Sequence, residues 1–199
     1  MEAENIRVSD VIEKIGKELH PNFSLKITPQ MMGNYKGVYD VLYASLKQEK
    51  KKGFLTLGTV GSGKSLAVKI MQKLFLGTER EFVRKKAIDI NNMLDYYKIS
   101  EILEMYGDGL NKDLYLDDLG FGNVIRASYS NKYNVVAELI NARYELFLER
   151  GYLTHFSSNA LMESEDANVL NIKSLYGDRV FDRIYEMSEV VIWKGETLR

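Results

Sequence analysis

The chain has 199 residues, enough for one domain with a sizeable core and too few for two large ones. Hydrophobic residues make up 45% and charged residues 28%, with a net charge of −1, so no global basic field marks it for nucleic acid. It has no cysteine and only two histidines, His20 and His155, which excludes disulfides, cysteine-held metals and an ordinary zinc site.

The acidic start, Met1-Glu2-Ala3-Glu4-Asn5, has no apolar core of a signal peptide, and no apolar run is long enough to span a bilayer. A cytoplasmic chain with no membrane contact is the default. Residues 8–19 read as an amphipathic helix with Asp10 as cap, Glu13 as capping-box partner and an apolar stripe of Val8, Val11, Ile12, Ile15 and Leu19. Residues 1–30 are expected to form a short N-terminal appendage, whose stripe either packs on the core or docks a partner. Pro21 and Pro29 bracket an irregular segment. A second helix is expected over 34–50, capped by Asn34 and ending in the solvated run 48–52.

The main domain is expected over 31–199. Gly53 to Leu57 is a short β-prone run, and 66–76 has apolar residues at helical spacing. Between them, Gly58-Thr59-Val60-Gly61-Ser62-Gly63-Lys64-Ser65 fits G-x-x-x-x-G-K-[ST], flanked by the strand and helix that such a phosphate-binding loop requires. Its glycines let successive N–H groups turn inward, and the helix that begins near Leu66 adds the positive end of its dipole. Lys64 can reach the β- and γ-phosphates of ATP, and the Ser65 hydroxyl can ligate Mg²⁺.

A strand is expected over 82–88. Its basic trio Arg84-Lys85-Lys86 is read as a charged sheet edge, with a DNA-facing patch as the alternative. Residues 91–106 read as a helix broken near Lys98-Ile99-Ser100. Asp113-Leu114-Tyr115-Leu116-Asp117-Asp118 is an apolar strand running into two acids, expected beside the phosphate-loop strand in a parallel sheet. Asp117 would hold Mg²⁺ through water and Asp118 would orient the attacking water.

Residues 124–132 read as a loop, 133–150 as a long helix stopped by Gly151, and 152–159 as a strand. Asn159 at its end either contacts the γ-phosphate and attacking water or caps the next helix. His155 reads as structural. Residues 174–185 read as one helix carrying Arg179 and Arg183 on one face, either paired with Asp178 and Asp182 or presented to a neighbouring subunit's nucleotide. Val190 to Trp193 is the fifth strand.

Taken in order, GTVGSGKS, LYLDDLG, LTHFSSN, YGDRVFDRI and the terminal WKGETLR resemble the AAA+ ATPases of the DnaC/DnaI helicase-loader and IstB transposition-helper group, over about residues 34–199. The resemblance implies an α/β P-loop NTPase fold: a three-layer αβα sandwich on a mainly parallel five-stranded sheet, without a C-terminal lid domain. It implies Lys64 and Ser65 as the Walker A pair, Asp117 and Asp118 as the Walker B pair, and Asn159 as sensor I. Arg183 matches the arginine finger, with Arg179 second, and Arg199 matches the nucleotide-contacting sensor II arginine. It further implies an ATP- and Mg²⁺-dependent ATPase that self-associates through those fingers. Partners would be a replicative helicase and DNA, single-stranded by preference. The rivals are a transposition helper acting with a transposase on duplex DNA, an ATP-gated binding module, and a small-molecule kinase, for which the chain shows no arginine-rich lid.

Overall fold

The structure is a computed structural model that describes residues 7–20, 22–23, 27–122, 126–128, 131–166, 169 and 171–193. Helix α1 (Val8–Leu19) is followed by α2 (Pro29–Leu46) and β1 (Gly53–Leu57). Then come α3 (Lys64–Leu74), β2 (Phe82–Lys86), α4 (Ala87–Met93), α5 (Ile99–Tyr106) and β3 (Asp113–Leu119). The short strands β4 (Arg126–Ser128) and β5 (Asn131–Tyr133) precede α6 (Val135–Arg150), β6 (Thr154–Ser158), α7 (Ile172–Tyr176), α8 (Asp178–Met187) and β7 (Ser188–Ile192).

Five strands make one parallel sheet in the order β2-β3-β6-β1-β7. Alternation along each strand divides the core in two. Leu55, Leu114, Leu116 and Phe156 face the cluster filled by α4 to α8. Phe54, Tyr115 and Phe82 face the cluster filled by α1, α2 and α3. This is the expected α/β architecture, with one change in neighbours. The strands ending in the phosphate loop and in the two aspartates are not adjacent, because β6 lies between them and pairs with both.

Several boundaries differ for local reasons. The second helix starts at Pro29, not Asn34: Thr28 caps it, accepting from the Met31 N–H at 3.2 Å, and proline suits a first-turn position whose N–H has no partner to lose. In α1, Asp10 is not the cap but sits in the first turn, paired with Arg7. The strand expected to 88 stops at Lys86, and Ala87 and Ile88 begin α4. The expected helix at 174–185 is two helices. Gly177 breaks it with φ 84° and ψ 162°, a conformation open to glycine and strained for other residues. Within the expected loop, residues 126–128 and 131–133 pair as an antiparallel ribbon. Among the described residues, no helix is long and apolar enough to cross a membrane.

Candidate active site

The loop between β1 and α3 stands at the carboxyl edge of the sheet, the edge at which parallel α/β sheets present ligand contacts. Its strand lies between β6 and β7, so the loop springs from paired backbone on both sides. Gly61 and Gly63 take φ of 84° and 91°, the left-handed turns that curl the chain into a nest. Lys64 then folds back across it. Its Nζ donates to the Gly58 and Thr59 carbonyls at 2.7 and 2.8 Å and to Asn159 Oδ1 at 2.8 Å. Burial lowers the Lys64 pKa, opposed by the charges of Asp118 and Asp117.

A cavity of about 450 Å³ opens over this loop. Val60 to Leu66, Asp118 and Asn159 form its polar wall. Phe23, Ile27 and Met31 form an apolar wall, with His20, Tyr35 and Phe121. The structure thus brings Lys64, Ser65, Asp118 and Asn159 to one space, as their order along the chain suggested. Gly58 and Thr59 are not in its lining and serve as acceptors of the Lys64 ammonium.

The two aspartates take different positions. The register between β3 and β6 shifts between Leu116 and Leu119, and Asp118 adopts φ 58°. This local irregularity turns consecutive side chains in different directions. Asp118 lines the cavity; burial and the nearby Asp117 charge raise its pKa, opposed by Lys64. Asp117 is 1% exposed and lies behind the wall. Its Oδ1 accepts from Ser157 Oγ at 2.6 Å and Tyr115 Oη at 3.0 Å, and its Oδ2 pairs with Arg84. Burial alone would raise the Asp117 pKa, but hydrogen bonds from Ser157 and Arg84 outweigh it and hold it below the usual carboxylate value.

Arg84 comes from the basic trio on β2, which is an edge strand of the sheet. Arg84→Met should destabilise the fold by about 2–3 kcal/mol at pH 7, less than a fully buried pair because Arg84 is partly exposed. The sign with pH follows. In the wild type Asp117 stays ionised between pH 7 and pH 5. Without Arg84 burial dominates, the folded pKa rises, and protonation as pH falls restores part of the stability. Thermal melts of both proteins at the two pH values should show the gap narrowing on the acid side.

Other candidate residues lie elsewhere. Arg183 donates to Asn141 Oδ1 at 2.7 Å and Glu145 Oε1 at 2.9 Å, and its guanidinium lies 4.5 Å from the Tyr144 ring centre. It is held against α6, not extended. Arg179, one turn earlier, is exposed and makes no hydrogen bond or ion pair among the described residues. Arg199 lies outside the described residues. His155 is fully buried, stacked on Phe54 at 4.4 Å, and its pKa is pushed down to about 3 by burial and the charges of Arg80 and Arg143, so it is a neutral core residue.

Sequence reasoning did not find Tyr115, Ser157 or Arg84 around Asp117, nor Phe23, Ile27 and Met31 in the cavity wall. The only available signal for Ser157 was its place two residues before Asn159. Among the described residues no group of three or more His, Cys, Asp or Glu gathers into a metal site. A divalent cation here would therefore take phosphate oxygens together with Ser65 and an aspartate. That oxygen donor set suits Mg²⁺, and Ser65 and Asp118 share the cavity.

Sheet order and loop position are those of the P-loop AAA+ fold. The chain is similar to the crystal structure of the DnaC helicase loader, with a TM-score of 0.51 and 23% identity over 77% of this chain and 86% of that one. It is similar to DnaI, with a TM-score of 0.50 and 18% identity over 79% of this chain and 80% of that one. It is also similar to AMPPCP-bound DnaA from Aquifex aeolicus, with a TM-score of 0.54 and 18% identity over 80% of this chain but only 46% of that one. No family model and no curated protein matches the chain.

Proposed function

We propose that the protein is an ATPase of the helicase-loader kind, using ATP and Mg²⁺ as an assembly switch in DNA replication. The observation that carries the proposal is the one cavity that joins Lys64 and Ser65 to Asp118 and Asn159 beside an apolar wall. The fold likeness to a helicase loader supports the choice among P-loop functions. Phe23, Ile27, Met31 and Tyr35 supply part of that wall, and Ile12 and Phe23 share a core with Val68 and Phe54. In this reading the N-terminal segment from Val8 packs on the ATPase core as well as carrying any docking role.

In this reading the loop N–H groups and Lys64 hold the phosphates, and Ser65 holds Mg²⁺. Asp117 organises β3 from behind, acting on the metal only at second hand. Mg²⁺ held there would supply charge neutralisation for the phosphates. Asp118 and Asn159 orient water for in-line attack, which yields ADP and phosphate. Phosphate binding would draw the Lys64 ammonium from the loop carbonyls and Asn159, releasing the Asn159 amide for that task.

The finger would come from a second copy. Arg179 is free to reach one, whereas Arg183 must first leave Asn141, Glu145 and Tyr144. Turnover should rise with protein concentration and with single-stranded DNA. Arg179→Ala should bind ATP normally while losing the concentration dependence. Steady-state ATPase assays across a dilution series decide the matter: unchanged turnover at high concentration counts against a trans Arg179, and indifference to every nucleic acid tested counts against loading. Stimulation by duplex DNA alone would point to the transposition-helper alternative.

A further inference from the structure

We infer that Trp193 is a positioning residue for the phosphate loop: its indole N–H fixes the Ser62–Gly63 peptide so that the Gly63 N–H faces the cavity. This rests on the ATP-site reading above. Trp193 directly follows β7, and its backbone N–H donates to the Leu57 carbonyl at 2.6 Å, just before the loop begins. A Cβ on Gly58 would lie 2.6 Å from the Trp193 Cβ, so glycine at 58 lets the two segments touch. The Trp193 Nε1–H donates to the Ser62 carbonyl at 2.7 Å. Trp193 is 3% exposed and does not line the cavity, whereas Ser62 and Gly63 do.

In a trans peptide the C=O and N–H of one unit point in opposite directions, and no cis peptide occurs among the described residues. Drawing the Ser62 carbonyl back towards Trp193 therefore turns the Gly63 N–H forward. Three other loop carbonyls are set by different groups. Lys64 serves Gly58 and Thr59, and the Leu66 and Ala67 N–H groups serve Gly63. Among the described residues only Trp193 serves Ser62. Tyr35 reinforces the arrangement: its hydroxyl donates to the Gly63 carbonyl at 3.3 Å, and its ring lies 5.5 Å from that of Trp193.

The test compares the full-length chain with Trp193→Phe and with Trp193→3-benzothienylalanine, where sulfur replaces only the indole N–H. Calorimetry measures the binding of ADP and of adenosine, and melting of the unliganded proteins is followed alongside. The benzothienyl form should melt a few degrees below the wild type, because the Ser62 carbonyl loses its donor, yet bind adenosine like the wild type and ADP about 3- to 10-fold more weakly, the scale of one hydrogen bond. Tyr35→Phe should show a smaller loss, since the Gly63 carbonyl keeps its helical donors. Unchanged ADP affinity in the benzothienyl form overturns the inference, as does an equal loss for ADP and adenosine. Lys64→Ala run in parallel separates the two readings. If that variant binds ADP normally, the ATP site itself is misassigned.

Discussion

Lys64→Ala should abolish ATP binding and leave the unliganded fold as stable as before. In the wild type, ligand at about 100 times its Kd adds about 2.7 kcal/mol of stability. For a chain of this size that raises the melting temperature by roughly 5–10 °C. In the variant the rise should vanish, and affinity should fall by about 100-fold or more, the loss of charge-assisted bonds to phosphate worth roughly 1.5–3 kcal/mol each. The unliganded protein should not suffer. Lys64 is 6% exposed, and burial already works against its charge. Removing it discards a desolvated cation along with the bonds it makes to the loop. Calorimetric titration beside a thermal melt measures both effects. A variant that melts early and binds ATP would mean that Lys64 is a structural cation.

The largest loss of stability should follow Arg143→Met, at the opposite end of the sheet. Arg143 is fully buried, and its five N–H groups meet five acceptors. Nε donates to Thr154 Oγ1 at 3.1 Å; Nη1 to the Leu110 and Gly107 carbonyls at 3.1 and 3.5 Å; Nη2 to the Lys112 and Leu153 carbonyls at 2.9 and 3.0 Å. Asp113 stands nearby, its pKa pushed up to about 6 by burial despite Arg80 and Arg143. Methionine fills much of the stem but leaves the carbonyls without donors and Asp113 with less opposing charge. A cost of about 3–5 kcal/mol is expected, lowering the melting temperature by roughly 10 °C or more. ADP affinity measured well below that temperature should be unchanged, because none of these groups lines the cavity.

The chemistry-bearing loop was legible in the sequence because it is a contiguous motif whose flanking strand and helix carry clear periodicity. The pair at 117 and 118 and Asn159 were legible as acids or an amide at strand ends. Their separation into a buried and a cavity-facing aspartate was not. It depends on a register shift against β6 and on Arg84 arriving from β2, and neither pairing leaves a trace in local spacing. The placing of β6 between β1 and β3 is likewise a long-range choice. The apolar wall combines Phe23 and Ile27, which follow α1, with Met31 of α2, a meeting set by tertiary packing. The missed cap at Thr28 had a readable sign in the proline that follows it. The break at Gly177 was hidden because the helical pattern from 174 to 185 reads continuously through it.

The loop's internal hydrogen bonds bear on how binding proceeds in time and heat. With carbonyls at 58, 59, 62 and 63 already engaged, most of the conformational entropy of this segment is surrendered during folding rather than at each encounter with a nucleotide. What must rearrange on encounter is chiefly one lysine side chain, which must give up its bonds to Gly58, Thr59 and Asn159. Association should therefore be governed by diffusion into the cavity, and the residence time of the nucleotide by how readily the lysine returns to Asn159.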